Sequence, residues 1–159
     1  MKTRKGFTMV ELLIAIIIIA ILAAAMLLSS RSLTAAADAS VIIYNLRDLK
    51  TACMLLYAAS GDLAPGTADI SMLTSFMVDP ELFGVNPSNA VGPYMFEVDD
   101  VGNWWVGYNL TAGNKGPDVG EKLIGKAKSI GLYKDHAYNY INNKVTDRQV
   151  WLLVARRSF

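Results

Sequence analysis

The feature that most constrains this chain is a long run of apolar residues close to its N-terminus. Residues 12–28 contain no charged side chain, and residues 7–28 contain a single one, Glu11. As a helix, residues 7–28 would extend about 33 Å at ~1.5 Å per residue, which is enough to cross the hydrocarbon core of a bilayer. An uninterrupted apolar stretch of this length also argues against a helix buried in a soluble core. The run therefore predicts a membrane-spanning helix.

Glu11 needs a partner if it lies inside a membrane. An ionised carboxylate costs on the order of 2.5–3.5 kcal/mol near the bilayer centre, and less towards the interface. If the chain were cut after Gly6, the new cationic amine of Phe7 would lie four positions before Glu11, about one helical turn away. That amine is the partner we expect.

Two other kinds of N-terminal segment compete with this interpretation. An ordinary secretory signal would use the alanines at residues 23–25 as its cleavage site, but its apolar region should span about 7–15 residues and rarely contains Glu. A plain signal anchor, with Glu11 near the headgroups, accounts for the length and the basic flank. It gives the Gly6-Phe7 pair no role.

The sequence KGFTMVELL at residues 5–13, followed by the apolar run, resembles the N-terminal signal of type IV prepilins and the related pseudopilins. The resemblance is close over residues 5–28. It implies that a membrane aspartic prepilin peptidase cleaves between Gly6 and Phe7 and also N-methylates Phe7. It further implies that Glu11 acts in assembly, and that the partners of the chain are other pilin or pseudopilin subunits.

The charge distribution predicts the orientation of the span. Basic residues precede the apolar run, at Lys2, Arg4 and Lys5, while the formal net charge of the whole chain is only +1. Because positive flanks stay in the cytoplasm, we expect a single-pass protein of the inner (cytoplasmic) membrane whose residues beyond Arg31 lie outside. The near-neutral charge provides no global field that would attract nucleic acid. We therefore expect the membrane as a partner, and by default neither nucleic acid nor a small-molecule substrate.

One helix is predicted to continue far beyond the span, since no Gly or Pro occurs between Phe7 and Ser60. In its second half, apolar residues recur at steps of four and three, which predicts one buried stripe: Ala35, Ala39, Ile42, Leu46, Leu49, Cys53 and Leu56. Polar residues fall mostly off that stripe: Asp38, Asn45, Arg47, Asp48 and Lys50. Cys53 is the only cysteine, so an intramolecular disulfide is impossible and a small buried hydrophobe is expected. Many type IV pilins close a C-terminal loop with a disulfide, and this chain departs from that pattern.

Turn residues predict where the long helix ends and which elements come after it. Ser60-Gly61-Asp62, with Pro65-Gly66 behind it, predicts the end of the helix and a turn. Residues 69–78 predict a short helix that starts at Asp69 or Ser71 and closes before Pro80. A loop is expected after it.

Period-two patterns predict β-structure in the rest of the chain. Apolar residues alternate on both sides of residues 99–103, which predicts a β-hairpin with a longer loop. Residues 113–120 are expected to form a loop and residues 121–130 a short helix. Residues 150–155 are apolar on both faces, which predicts a final strand inside the sheet.

This order of elements, a long helix and then antiparallel strands, predicts an α+β fold. It is also the type IV pilin-like architecture that the resemblance implies, in which a helix that is first transmembrane and then amphipathic packs on a C-terminal antiparallel β-sheet. We expect four segments: a cleaved leader at 1–6, the transmembrane half of the helix at 7–30, the amphipathic half at 31–60, and an extracytoplasmic globular domain with the β-sheet at 61–159.

Catalytic and metal motifs are weak in this sequence. Gly120-Glu-Lys-Leu-Ile-Gly-Lys-Ala approximates a P-loop, but Ala127 stands where Ser or Thr should hold magnesium. His136 is the sole histidine, which excludes a multi-histidine metal site. Some pseudopilins bind calcium, and two loops of this chain could provide oxygen ligands for it: Asp99, Asp100, Asn103, Asp118 and Glu121. The spacing of these residues matches no calcium motif. We expect no enzymatic activity, no metal and no cofactor.

Two functions remain open at this point. The leading expectation is a structural subunit, pilin or pseudopilin, of a type IV pilus on the cell surface or of a periplasmic filament like that of type II secretion. The alternative is a membrane-anchored, minor pilin-like binding module for adhesion or DNA uptake, in which the lysines of residues 122–128 and a platform of aromatic side chains contact the ligand. Core packing is the competing expectation for these aromatic residues: Tyr44, Tyr57, Trp104, Trp105, Tyr133, Tyr138 and Tyr140.

Overall fold

A computed structural model of the protein describes residues 6–84, 92–139 and 148–156. Internal contacts divide the chain into two compact units, Met1–Ala35 and Ala36–Phe159. Helix α1 (Met9–Ser60) has residues in both units. The prediction of one continuous long helix is confirmed, and the physical reason is the one given by the sequence, since no helix-breaking residue occurs within it.

In the first unit, the large apolar side chains of α1 are exposed, from Met9 to Leu27. Leu12, Ile16 and Ile19 have 59%, 56% and 64% of their surface accessible. In the described part of the chain, one helix, α1, is long and apolar enough to cross a membrane. A lipid-facing helix has such exposed apolar side chains, because the free energy falls when lipid or protein replaces the water around them.

Helix α1 ends where the sequence predicted. Gly61 has a φ of +76°, and its N–H donates to the carbonyl of Tyr57 at 2.8 Å. A left-handed residue after the last turn is favourable for Gly because it has no Cβ. The chain then turns away into the rest of the second unit.

In the second unit, the predicted stripe of α1 is buried. Leu56, at the far end of the stripe, is only half-buried. The central members are at most 2% exposed: Ala39, Ile42, Leu46, Leu49 and Cys53. Asn45, which was predicted to lie off the stripe, is buried as well, and its Nδ2 donates to Tyr94 Oη at 2.7 Å. This hydrogen bond satisfies a buried amide and links α1 to the sheet.

Two short 3-10 helices come next in the chain. The first, Ile70–Phe76, begins after Asp69, whose Oδ1 accepts from the Ser71 N–H at 2.8 Å. The predicted start at Asp69 is therefore confirmed, although the segment is a 3-10 helix and ends at Phe76. The second, Pro80–Phe83, lies in a region expected to be loop. Both contribute a fully buried side chain, Leu73 and Phe83.

The sheet has four antiparallel strands in the order β1-β2-β4-β3. Their bounds are Tyr94–Val98 for β1, Trp104–Asn109 for β2, Leu132–Tyr133 for β3 and Gln149–Ala155 for β4. The predicted hairpin is β1 and β2, and the predicted inner strand is β4, which lies between two neighbours. Strand β3 was not predicted, because two residues are too few to show a period.

Helix α2 (Pro117–Ile130) begins earlier than the predicted residue 121, so the expected loop at 113–120 was partly wrong. Pro117 occupies the first turn, where its fixed φ suits the helix. The lack of an N–H costs no hydrogen bond there, because N–H groups in the first turn have no intrahelical acceptor. Gly131, with a φ of +81°, ends the helix. The buried face of α2 includes Val119, Leu123 and Ala127.

The two faces of the sheet pack differently. Contacts with α1 lie on one face, where the Tyr57 ring meets the Trp104 indole edge-on at 5.3 Å and Lys50 Nζ donates to the Leu153 carbonyl at 2.9 Å. On the other face, the Trp151 indole lies over Gly107, where a Cβ would come within 2.5 Å of the ring. This α+β arrangement, with a long N-terminal helix packed against an antiparallel sheet, is the one that the resemblance implied.

Candidate processing and assembly site

The Gly6–Phe7 bond precedes α1, and both residues are exposed. The Phe7 side chain has 80% of its surface accessible. A Cβ added to Gly6 would meet no heavy atom within 4 Å, so nothing in the described part of the chain requires glycine at this position. An exposed bond outside regular structure is accessible to a protease. The predicted cleavage position therefore lies in a segment that an enzyme can reach.

Thr8 and Glu11 form a capping box at the start of α1. The Thr8 N–H donates to Glu11 Oε2 at 2.9 Å, and the Glu11 N–H donates to Thr8 Oγ1 at 3.3 Å. The Thr8 hydroxyl also donates to Glu11 Oε2, at 2.8 Å. These bonds satisfy two of the N–H groups that the first turn of a helix leaves without partners.

The capping box gives Glu11 partners in the uncut chain. The expected partner of Glu11, the amine of Phe7, would exist only after cleavage; in the structure, where Phe7 follows Gly6, the carboxylate accepts from Thr8. Both bonds use Oε2, so neither of them involves Oε1. Thr8 was missed at the sequence level, although Thr-x-x-Glu before an apolar run is a known signature of a helix start.

The identity of this segment is given by comparison with known families. Residues 1–27 match the family model described as the prokaryotic N-terminal methylation motif. The chain carries a prepilin-type signal. This is the cleavage and methylation signal of type IV pilins, as the resemblance indicated. No curated protein and no solved structure matches the chain significantly.

The prepilin-type signal supports a type IV pilin-like or pseudopilin protein, and it points to a structural family rather than to an enzyme. It implies processing by a prepilin peptidase and association with other pilins in the membrane. The signal and the long apolar helix together fit a membrane-anchored pilin.

The P-loop-like segment of the second unit does not have the structure of a phosphate-binding loop. Residues 120–127 lie inside α2, where their backbone N–H groups belong to the helix. Gly120 is buried and Lys126 is exposed, with its Nζ donating to Ser40 Oγ at 3.3 Å. The segment is a regular helix in which Lys126 is exposed and Lys122 is half-buried.

The hairpin loop uses its acidic residue for structure. Asp99 accepts hydrogen bonds from the N–H groups of Val101 and Asn103, from Asn103 Nδ2 and from the Trp105 indole, all between 2.8 and 3.0 Å. Partial burial alone would raise the pKa of this carboxyl, but the bonds from Trp105, Asn103 and Val101 hold it below the usual value. Among the described residues, no group of three or more His, Cys, Asp or Glu side chains could hold a metal ion.

His136 is packed among aromatic rings. Its imidazole stacks on Trp105, with ring centroids 5.0 Å apart, and meets Trp151 edge-on at 4.5 Å. Its Nε2 lies 3.7 Å from Glu97 Oε2, beyond hydrogen-bonding distance. An open groove of about 420 Å³ runs past this point, lined by Gly66, Glu97, Val98, Asp99, Asp100, Val101, His136 and Ala137.

The proposed aromatic platform is mostly core. Trp104 and Trp105 are at most 1% exposed, and Tyr133 and Tyr138 contact Trp105. Two tyrosines on α1 are exceptions, since Tyr44 and Tyr57 have 70% and 46% of their surface accessible. Tyr140 lies outside the described residues. A stacking surface made from these side chains together is therefore absent from the described part of the chain.

A polar contact region joins α1 to the β1–β2 hairpin. The Tyr94 and Tyr108 rings lie 4.8 Å apart, edge to face. Burial raises the pKa of Tyr108 to about 12, and the nearby Tyr94 and Asp38 add to that shift. Asp38 is itself paired with Lys115 at 2.9 Å. These groups have structural partners and require no ligand.

Proposed function

We propose that this chain is a structural subunit, pilin or pseudopilin, of a type IV pilus or a type II secretion-like filament. Prepilin peptidase would cut after Gly6 and methylate the new amine of Phe7. The chain would enter the inner membrane with its N-terminus in the cytoplasm and its C-terminal domain, residues 61–159, outside. It would then assemble through its apolar helix.

The observation that carries this proposal is the combination of a matched prepilin signal with an exposed apolar helix directly behind it. A secretory signal that is removed at residues 23–25 would discard most of that apolar segment. A subunit cut after Gly6 keeps it. The helix can then lie in the membrane before assembly and against other subunits afterwards, because both surroundings remove apolar side chains from water.

Glu11 has a specific role in the proposed assembly. Cleavage would create a positive amine at Phe7, one turn before a carboxylate whose Oε1 is not used by the Thr8 bonds. In an array of staggered helices, that carboxylate can meet the amine of a neighbouring subunit. Such a pair would fix the axial register of the subunits. It would add little to their total affinity, because the cost of removing both charges from solvent offsets most of their attraction.

The first test concerns processing. Intact mass and N-terminal sequencing of the protein from its native membrane should give a chain that begins with N-methylated Phe7. A chain that starts near Met26, or one that retains Met1, would contradict the proposal. Gly6→Ala should be cut more efficiently than Gly6→Leu, because the structure leaves room for a side chain at this position and only the peptidase would demand a small one.

A membrane-anchored binding module would share the same signal and anchor. The two tryptophans of its proposed aromatic platform, Trp104 and Trp105, are buried, and on α2 Lys126 already contacts Ser40. No observation in the described part of the chain favours this alternative over the structural subunit. Salt-sensitive binding of DNA to the purified full-length protein in detergent would support it.

A further inference from the structure

Residues 109–111, Asn-Leu-Thr, have the pattern of an acceptor site for N-linked glycans. In such a site the sugar is attached to the asparagine side chain, and a Ser or Thr is required two positions later, with any residue except Pro between them. One other asparagine of the chain, Asn86, has Ser or Thr at that distance, and Pro87 interrupts its pattern. The sequence therefore contains a single complete acceptor pattern.

This tripeptide lies at the end of β2, where the chain leaves the sheet. Asn109 is the last residue of the strand, and its N–H donates to the Pro93 carbonyl at 2.7 Å. Leu110 is buried, whereas Asn109 is partly exposed and Thr111 is exposed. Burial of the middle residue fixes the tripeptide to the domain. The two side chains that the pattern requires remain at the surface.

The side-chain amide of Asn109 is held through its oxygen. Oδ1 accepts from the N–H groups of Thr111 at 3.0 Å and of Ala112 at 3.1 Å. Neither bond uses Nδ2, which is the atom to which an N-linked glycan is attached. A sugar on Nδ2 would therefore leave both hydrogen bonds in place.

Other asparagines in the described part of the chain use the same nitrogen within the fold. Nδ2 donates to another side chain in Asn45, Asn103 and Asn139. A bulky group on such a nitrogen would break a hydrogen bond and leave its acceptor without a partner. The bonds of Asn109 carry no such cost, so the folded domain can accommodate a glycan at this position.

We propose that Asn109 carries an N-linked glycan, transferred from a lipid-linked glycosyl diphosphate at the outer side of the membrane. The inference rests on the proposed function, which puts residues 61–159 outside. In the transfer, a bond forms between Nδ2 and C1 of the sugar while the bond from C1 to the diphosphate oxygen breaks. The diphosphate leaves with the electron pair, and one Nδ2 proton passes to a base of the transferase.

Mass spectrometry of the full-length protein from its native membrane tests this proposal. The wild type should contain the added mass of a glycan, located at Asn109 by fragmentation of a peptide that includes this residue. Asn109→Gln should lose the added mass. A wild-type chain whose intact mass is that of the unmodified polypeptide would overturn the proposal.

Thr111 provides a matched pair of variants. Thr111→Ala destroys the acceptor pattern and Thr111→Ser keeps it, while both retain the backbone N–H that donates to Asn109 Oδ1. We expect at least tenfold less glycosylated protein from Thr111→Ala than from Thr111→Ser. A glycan retained in full by Thr111→Ala would contradict an acceptor site of this type.

The two proposals can fail separately. Filaments built from a processed chain without a glycan would support the proposed function and contradict the glycan. A chain that is glycosylated at Asn109 and never enters the sheared filament fraction would support the glycan and contradict the filament function. An uncut chain without a glycan would reject both.

Discussion

Thr8 and Glu11 hold each other at the first turn of α1, with the Thr8 N–H donating to Glu11 Oε2 at 2.9 Å and the Glu11 N–H donating to Thr8 Oγ1 at 3.3 Å. The bonds exist in the uncut chain, before any amine is available at Phe7. They give the one carboxylate of the apolar run hydrogen-bond donors within its own helix. The cost of an unsatisfied carboxylate in an apolar environment is thereby reduced.

The first prediction concerns Thr8. Thr8→Ala should lower the amount of membrane-inserted precursor in a host that lacks the peptidase, because the cap is lost and helix stability falls by about 1 kcal/mol. Thr8→Ser retains the hydroxyl and should behave like the wild type. Immunoblots of washed membranes give the measurement. Equal amounts of the Ala and Ser variants would show that the capping box contributes nothing to insertion.

The second prediction concerns Cys53. Burial raises the pKa of this thiol far above its usual range, so little thiolate exists near neutral pH. In full-length protein in detergent, Cys53 should react slowly with a thiol reagent. Thr51→Cys, on the exposed side of the same helix, should add a fast-reacting thiol. Fast labelling of the wild type would contradict the burial of Cys53.

The same site predicts a loss of stability. Cys53→Ser should reduce the free energy of unfolding by about 1–3 kcal/mol, because a buried hydroxyl would have to find a hydrogen-bond partner in an apolar core. Thermal unfolding followed by circular dichroism would measure the change. An unchanged melting temperature would mean that the hydroxyl is satisfied after all.

Most of the fold was predictable because its elements have clear periods and punctuation. The buried stripe of α1 has steps of three and four, its end is marked by Gly61, and the hairpin alternates on both sides of its loop. The features that escaped prediction depend on tertiary partners. Strand β3 is only Leu132–Tyr133 and exists because it pairs with Leu152 and Trp151. Asn45 is buried because Tyr94 accepts its amide hydrogen.

The candidate site was predictable in part for similar reasons. Gly6, Phe7 and Glu11 belong to a sequence motif that can be seen without a structure. The role of Thr8 required the geometry, although its spacing from Glu11 was a signal that could have been used. The exposure of Tyr44 on α1 could not be inferred from the sequence, because an aromatic residue favours burial and only the packed structure leaves this one exposed.

The third prediction concerns Asp99 and pH. The folded-state pKa of its carboxyl lies below the ordinary value of 3.8, so its contribution to stability is present above that pH and is lost as the pH falls through the folded value. Asp99→Asn should lower the free energy of unfolding at pH 7 by about 1–3 kcal/mol, because charge-assisted bonds are lost. It should also flatten the decline of stability below about pH 4.

The neighbouring Asp100 is the matched control for this prediction, since its side chain is exposed. Asp100→Asn should change the free energy of unfolding by less than about 0.5 kcal/mol. The measurement is thermal unfolding of the full-length protein in detergent between pH 2 and pH 7. A steeper acid dependence in Asp99→Asn than in the wild type would reverse the assigned direction of the pKa shift.

The fourth prediction concerns the charge of Glu11 in assembly. Glu11→Val removes a charge from the apolar run without adding bulk, and the N–H of residue 11 can still donate to Thr8 Oγ1, as it does in the wild type. Because this N-cap bond, which Thr8→Ala would lose, is kept, insertion into the membrane and cleavage after Gly6 should be retained. Glu11→Gln keeps an oxygen that can accept from Thr8 but has no charge. If the pairing with the Phe7 amine of a neighbour drives assembly, both variants should be defective, whereas a purely capping role would leave Glu11→Gln active.

The most direct measurement compares sheared filaments with the membrane fraction for the wild type, Glu11→Val and Glu11→Gln, with cleavage verified by intact mass in each fraction. We predict that the wild type appears in both fractions, while the cleaved variants stay in the membrane and fall at least tenfold in the filament fraction. Filaments formed at wild-type levels by cleaved Glu11→Val protein would contradict the account.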